Sequence, residues 1–391
     1  MGDAVASTVP PDEGAAPAKT LFNAQHHALG GHMVSFAGWE MPLYYSSTGI
    51  MKEHKAVREG VGIFDVSHMG IVTIAGAGAA DLMARRTPLD AHTMRTGSCK
   101  YTFFLNSDGL IIDDAILNRL DSGEKPENFL LVPNASMVPR IMELLLQHRV
   151  SGTNLKKWNG KMGILAVQGP KSQQLIESKF GWDLKGLKFY TSGFFPWGGG
   201  PAQPFKGDFE SMTAKNILVS RTGYTGELGY EVFLPAPMAS EAWQKLFDGG
   251  GIPCGLGARD TLRMEKGYLL SGTDFHSDRT PLEASLDKFL TFDHPYVGRE
   301  ALEAQKKAGN YPVWTGLTID EPGAIPRHGA HVLHEGTKIG EVTSGGQSPT
   351  LGHAIALTYL PAKYRAEGTV LDIDVRGRIV KGKVAPLPFV K

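Results

Sequence analysis

A chain of 391 residues, 42% hydrophobic and 20% charged, is long enough to bury full cores and longer than one ordinary domain. Forty basic residues balance forty acidic ones, so no global field would concentrate nucleic acid or an anionic membrane, and neither is expected as a partner. No apolar run approaches the roughly 18 residues of a membrane span. Cys99 and Cys254 are too few and too far apart for a disulfide scaffold or a multi-cysteine zinc site, which suits a reducing compartment.

In chain order, residues 1–19 are rich in Ala, Pro and small polar residues, a composition that buries too little apolar surface to offset ordering entropy. They read as a flexible tail, with order beginning near Thr20. The tail has no arginine and carries Asp3, Asp12 and Glu13, unlike a mitochondrial transit peptide, so a cytoplasmic location is expected, or the mitochondrial matrix if the source is eukaryotic. Leu21, Phe22, His26 and Leu29 form a short amphipathic stripe stopped by Gly30-Gly31. An extended stretch follows from His32 to Phe36.

Tyr101 to Leu105 and Leu110 to Leu120 read as strands joined by Asn106-Ser107-Asp108-Gly109, a hairpin-type turn. Next come a strand at Phe129 to Val132, a helix over Met137 to His148, a strand at Ile164 to Val167, a helix over Lys171 to Lys179 and a strand at Asn216 to Ser220. Phe194 to Gly207 reads as an inserted loop. A helix over Val297 to Lys307 precedes a change of character to short strands with frequent Gly and Pro: Trp314 to Ile319, Lys338 to Thr343, Ala354 to Tyr359 and Val370 to Val375. That spacing predicts a small antiparallel barrel or sandwich. The division falls near residue 305, giving a region of two interleaved α/β lobes over 20–304 and a β domain over 305–391.

There is no Gly-x-Gly-x-x-Gly after a strand, no phosphate loop and no His-Glu-x-x-His, which removes most support for nucleotide or zinc chemistry. His26 and His27 are adjacent, and His328, His331 and His334 recur in turn-rich strand territory at a spacing that does not gather rings on one face, so no metal site is expected. Asp113-Asp114 stands out on a strand otherwise made of Leu, Ile and Ala. Successive strand residues face opposite ways, so only one carboxylate can enter a given cavity, leaving the other exposed or paired. A carboxylate in a cavity can accept hydrogen bonds from a heterocycle or take up a proton.

A second cluster runs from Arg221 to Val232, with glycines at 223, 226 and 229 that allow tight turning or close approach to a flat ligand. The bland reading is a hairpin. The functional one sets Tyr224 against an aromatic ring and uses Glu231, alone among apolar strand residues, as a bidentate acceptor for an amino-pyrimidine edge. Gly255 to Glu265 reads as a loop entering a helix, with Asp260 as its N-terminal cap and Arg259 at the loop tip, where forked donors suit a planar carboxylate or heteroatom edge.

These segments together resemble the aminomethyltransferase (T-protein) family of the glycine cleavage system. The matching runs are MVSFAGWEMPLYY from Met33, GIFDVSHMG from Gly62, DGLIIDDAIL from Asp108, LAVQGP from Leu165, SRTGYTGELGYEV from Ser220, GLGARDTLRMEKG from Gly255 and KIGEVTSGGQSPTLGHAIAL from Lys338. The resemblance implies an α+β, three-lobed, ring-like fold with folate in a central opening and a C-terminal antiparallel β-barrel. It implies transfer of an aminomethyl-derived one-carbon unit from the lipoyl arm of a partner, the H-protein, to tetrahydrofolate, with release of ammonia. It assigns the key carboxylate to Asp114 near folate N5, the pterin edge to Glu231, ring packing to Tyr224 and Tyr101, a polar contact to Arg259, and the pocket wall to Met69, Ile116, Asn134 and Tyr190. Two departures from the family pattern stand in this chain. The usual Gly-Glu-Asp-Gly is Gly226-Glu227-Leu228-Gly229, and a C-terminal folate contact found in some members has no counterpart before Lys391. Two other readings remain: a folate-dependent demethylase of a small sulfonium or methylamine compound, and a folate-binding helper of iron–sulfur assembly, whose motif has cysteine where this chain has Tyr268.

Overall fold

The computed structural model describes residues 16–120 and 127–391. Residues 1–15 of the expected tail lie outside the described residues. Its last part is ordered, since Ala18–Lys19 pairs in parallel with Trp39–Glu40. No described helix is long and apolar enough to cross a membrane.

Among the described residues, a small three-stranded sheet of Ala18–Lys19, Trp39–Tyr45 and Gly31–Phe36 accompanies two larger sheets and a barrel. The chain sets Gly62–Asp65 into a six-stranded sheet, then leaves to build a five-stranded one from Val72–Ala75, Cys99–Leu105, Ile111–Arg119, Asn128–Pro133 and Asn154–Lys157. It returns with Met162–Gln168, which pairs antiparallel with both Gly62–Asp65 and Gly229–Pro235. Alternation along Met162–Gln168 is what divides the core. Leu165 and Val167 face the helices Ser172–Phe180 and Ala236–Asp248, while Ile164 and Ala166 face a second cluster containing Leu130 and Val132 of the five-stranded sheet. The two sheets therefore share one apolar layer, and Ala258 and Leu262 of the helix Leu256–Glu265 enter it as well.

The hairpin at Asn106–Gly109 forms as its residues dictate. The Asn106 side-chain oxygen accepts from the backbone of Asp108 and Leu110, and Gly109 takes φ +76°. Two local expectations fail. Phe194–Pro196, expected to open a loop, belongs instead to the edge strand Ser192–Pro196 paired with Asn216–Ser220, because Phe194 and Phe195 each bury against a core cluster. The helix expected to start at Asp260 starts at Leu256, after Gly255, so Arg259 sits within its first turns and not on a loop tip. Asp260 caps nothing and pairs instead with Arg263 at 2.8 Å.

The C-terminal strands close into a six-stranded barrel around Leu317, Val332, Val342, Ala356, Ile373 and Val380. It is a barrel and not a sandwich because Val313–Ile319 pairs with both Ala354–Leu360 and Arg378–Ala385. The helix Arg299–Ala308 carries the chain towards it. Docking rests on two buried charges of the helix Leu256–Glu265. Arg263 reaches Asp274 at 2.7 Å and the barrel's Ser344 at 2.7 Å, and Glu265 accepts from Ser348 at 2.5 Å and from Thr350 at 2.8 Å. Charges removed from water must be paired, so these contacts also fix how that helix lies.

Candidate functional site

Asp113 and Asp114 lie on the strand Ile111–Arg119 and divide as strand alternation requires. Asp113 is sealed from solvent and held by the Asn134 backbone and side-chain amides at 3.1 and 2.8 Å and by Ser271 at 2.9 Å. Asp114 keeps some accessible surface. Tyr101 donates to its Oδ2 at 2.8 Å and Asn134 to its Oδ1 at 2.6 Å. Tyr101 and Asp114 share a face because Tyr101 pairs with Ile116 and Phe103 with Asp114 across the ladder. Asn134 reaches both carboxylates because it follows directly on the strand Asn128–Pro133, whose Pro133 pairs with Ala115.

Burial pushes both carboxyl groups above the ordinary range. The Asp114 charge adds to that push on Asp113, whereas the Tyr101 and Asn134 donors hold Asp114 back. Asp114 is thus the easier of the two to keep ionised and the one within reach of an incoming molecule. Asp113 fixes Asn134 and Ser271 in place.

Glu231 sits on the strand Gly229–Pro235, opposite Ser220 and Ala166. Burial raises its pKa, against the Thr222 hydroxyl that donates to Oε2 and the charge of Arg259. Among the described residues only one Glu231 oxygen is so occupied. Arg259, by contrast, has neither an ion pair nor a side-chain hydrogen bond among the described residues, and burial lowers its pKa. Its guanidinium lies 4.7 Å from the centre of the Tyr224 ring, which stacks on Tyr268 at 5.7 Å. The Tyr224 hydroxyl donates to the Leu269 carbonyl, which locks that ring.

Of the remaining expected residues, Tyr190 and Tyr101 lie in the field of these carboxylates, whereas Ile116 and Met69 are recorded only by their core packing. Tyr190 adopts φ +57°, and burial followed by the neighbouring Tyr268 and Glu231 raises its hydroxyl. Ile116 and Met69 pack against the layer between the sheets. Tyr101 packs on Phe289 at 4.8 Å, and its hydroxyl lies in the field of Asp114, Tyr224 and Tyr190. The glycines of the 221–232 segment act differently from expectation. A Cβ on Gly223 or Gly229 would stand 2.1 or 2.2 Å from Gln168 Oε1, so what approaches them is the Gln168 side chain, which ties the turn together through Thr222, Thr225 and Tyr230.

Two residues of this region were not among the expected site residues. Tyr268 is 39% exposed at the outer end of the Arg259–Tyr224–Tyr268 stack. His68 is buried beside Arg259, and only its place in the run Asp65 to Gly70 hinted at it. Among the described residues no group of three or more His, Cys, Asp or Glu side chains is arranged to hold a metal.

The two facing sheets, the capping barrel and a polar site of carboxylates, tyrosines and an unpaired arginine define a group-transfer enzyme of mixed α+β architecture. Residues 22–294 match the GCVT N-terminal domain, and residues 314–391 match the glycine cleavage T-protein C-terminal barrel domain. Aminomethyltransferases from Halothermothrix orenii and Streptomyces coelicolor are 37% and 39% identical, each alignment covering 95% of this chain and 99% and 97% of theirs. The crystal structure of the glycine cleavage system aminomethyltransferase T from Bartonella henselae superposes with a TM-score of 0.85 at 30% identity, over 95% of this chain and 98% of that one. The chain belongs to the aminomethyltransferase (glycine cleavage T-protein) family and is a transferase of that class. The α+β fold with a C-terminal antiparallel barrel, implied by the resemblance, is the one observed.

Proposed function

We propose that this enzyme transfers the aminomethyl-derived one-carbon unit carried on the lipoyl arm of an H-protein to tetrahydrofolate, giving 5,10-methylene-tetrahydrofolate, ammonia and the dihydrolipoyl partner. One observation carries the reading. Asp114, fixed by Tyr101 and Asn134, and the half-satisfied Glu231 both lie in the field of the Tyr190 hydroxyl, and Arg259, without an ion pair among the described residues, lies over the Tyr224 ring that also feels Asp114. An amino-pyrimidinone ring carries N–H donors and a carbonyl acceptor on adjacent edges, so its donors fit the free Glu231 oxygen and its acceptor fits the Arg259 fork. Tetrahydrofolate supplies N5 as the nucleophile for the one-carbon unit.

Each residue's work follows from its partners. Tyr101 and Asn134 occupy one lone pair on each Asp114 oxygen, leaving others to accept an N–H and to take its proton as the new C–N bond forms. Asn134 in turn cannot rotate, because Asp113 holds its backbone and side chain together. Such preorganisation fixes the angle at which Asp114 meets the reacting nitrogen. Tyr224, Tyr101, Tyr190, Met69 and Ile116 form apolar walls that exclude water from it. The two free, buried cysteines suit a reducing compartment, and the cytoplasm is the proposed location, or the mitochondrial matrix if the source is eukaryotic.

The test is to mix the protein with tetrahydrofolate and an aminomethyl-loaded lipoyl partner. Ammonia and methylene-folate in equal amounts are expected. No ammonia, together with methylated folate formed from a small sulfonium or methylamine donor, would assign the site to the demethylase reading instead.

A further inference from the structure

His68 lies in the short segment Val66–Gly70 between the two sheets, and that segment is immobilised on every side. The Ser67 amide donates to Asp65 at 2.9 Å, Met69 to Val66 at 3.0 Å and Gly70 to Pro133 at 2.9 Å, while Asn159 donates to the Met69 carbonyl at 2.8 Å. Gly70 is there because a Cβ would stand 2.6 Å from the Pro133 ring, one residue before Asn134. Asp65 is committed behind the segment, to His26 at 2.9 Å and to Ser67.

The imidazole so positioned is 3% exposed, and its Nδ1 has no hydrogen-bond partner among the described residues. Its neighbours are Phe36, edge-on at 5.6 Å, and the charge of Arg259. Burial, and then Arg259, depress its pKa to about 4, so the ring is neutral near pH 7 and its nitrogens are one donor and one acceptor. Leaving a buried polar nitrogen unmatched costs about 1–3 kcal/mol, and nothing in the fold recovers that cost. A buried, rigid, unpaired polar atom next to an unpaired guanidinium is what a binding site looks like before its ligand arrives.

We propose that His68, through Nδ1, hydrogen-bonds the amino-pyrimidinone ring of the bound pterin, alongside Arg259 and Glu231. The inference rests on the folate reading of the site and adds to it a contact that selects the ring over other flat heterocycles. His68 reaches the ligand from the segment that joins the two sheets, next to Arg259.

The test is equilibrium binding of tetrahydrofolate and of tailless 6-methyl-tetrahydropterin to wild type, His68→Leu and His68→Asn, with thermal unfolding of each protein without ligand. His68→Leu should raise both dissociation constants by the same factor, about 5- to 100-fold for one buried hydrogen bond. Its unliganded melting temperature should stay level or rise, since an unpaired polar atom is gone. His68→Asn, whose amide falls close to the Nδ1 position, should recover much of the affinity. Leu binding as tightly as wild type would overturn the proposal. So would equal losses in Leu and Asn, or a loss confined to the tailed ligand, or a melting temperature that falls in step with affinity. If wild type itself binds neither ligand, the folate reading fails first, and the two failures are thereby told apart.

Discussion

Glu265 ends the helix that carries Arg259, and replacing it probes how the barrel fixes the site. The side chain is fully buried. Its Oε2 accepts from Arg58 Nη2 at 2.7 Å, Arg58 Nε at 3.2 Å and Thr350 Oγ1 at 2.8 Å, and its Oε1 from Ser348 Oγ at 2.5 Å and Thr350 N at 3.0 Å. His54 Nε2 lies 3.3 Å from Oε2. Glu265→Ala strands Arg58, which is only 10% exposed, although Glu227 at 2.9 Å retains part of that charge. Breaking a buried pair by removing one partner costs about 3–5 kcal/mol, and the retained Glu227 contact argues for the lower end, about 3 kcal/mol. That is a large share of an ordinary stability of about 5–15 kcal/mol.

Urea unfolding of wild type and variant measures the difference directly. Burial opposes ionisation of Glu265, but His54, Ser348 and Thr350 outweigh it and pull the carboxyl well below its usual range. A depressed folded pKa contributes stability that is fully present above the unfolded value, about 4.3, and lost as pH falls towards the folded one. The gap between the two proteins should therefore stay flat from about pH 8 to about pH 5 and close only in stronger acid. A loss below about 1 kcal/mol, or a gap that narrows between neutral and mildly acidic pH, would refute the reasoning.

Other consequences follow from the site itself. Tyr101→Phe removes a donor that holds the Asp114 pKa down, so the acid limb of kcat/KM should move to higher pH while activity on the alkaline plateau changes little; a limb that stays put or moves down would remove Tyr101 from this role. Glu231→Ala should raise the tetrahydrofolate dissociation constant by about 10-fold or more, since ligand donors lose a buried acceptor, and a calorimetric titration reads it. Gly229→Ala drives a methyl group to 2.2 Å from Gln168 Oε1 and should cost about 1–3 kcal/mol of stability, visible as a lowered melting temperature.

Strand alternation predicts one carboxylate paired and one facing a cavity. Asp113 is paired within the fold, and Asp114 is held there too, by Tyr101 and by the Asn134 amide that also reaches Asp113. The barrel was legible as short strands, but its closure was not, because pairing of Val313–Ile319 with Arg378–Ala385 is a non-local choice. Arg259 was placed wrongly because Gly255-Leu256-Gly257 looks like a loop. Those glycines are needed where the helix passes the backbone of Pro42 and Leu43, within 2.7 Å of a Cβ on Gly255. Ser192–Pro196 was missed because Pro196 and the glycines after it read as loop, although an edge strand tolerates proline at its end. Beyond its place in the run from Gly62, nothing singled out His68, since an unsatisfied nitrogen exists only once the surrounding packing is known.

The account turns on Asp114 as the group that handles the proton at the reacting nitrogen. Its most direct test is Asp114→Asn, with tetrahydrofolate affinity and single-turnover rate measured on the same preparation. Affinity should stay within about threefold while the rate falls by about 10²-fold or more, the scale of a lost acid–base group. A rate equal to wild type, or a fall accounted for entirely by weaker folate binding, would contradict it.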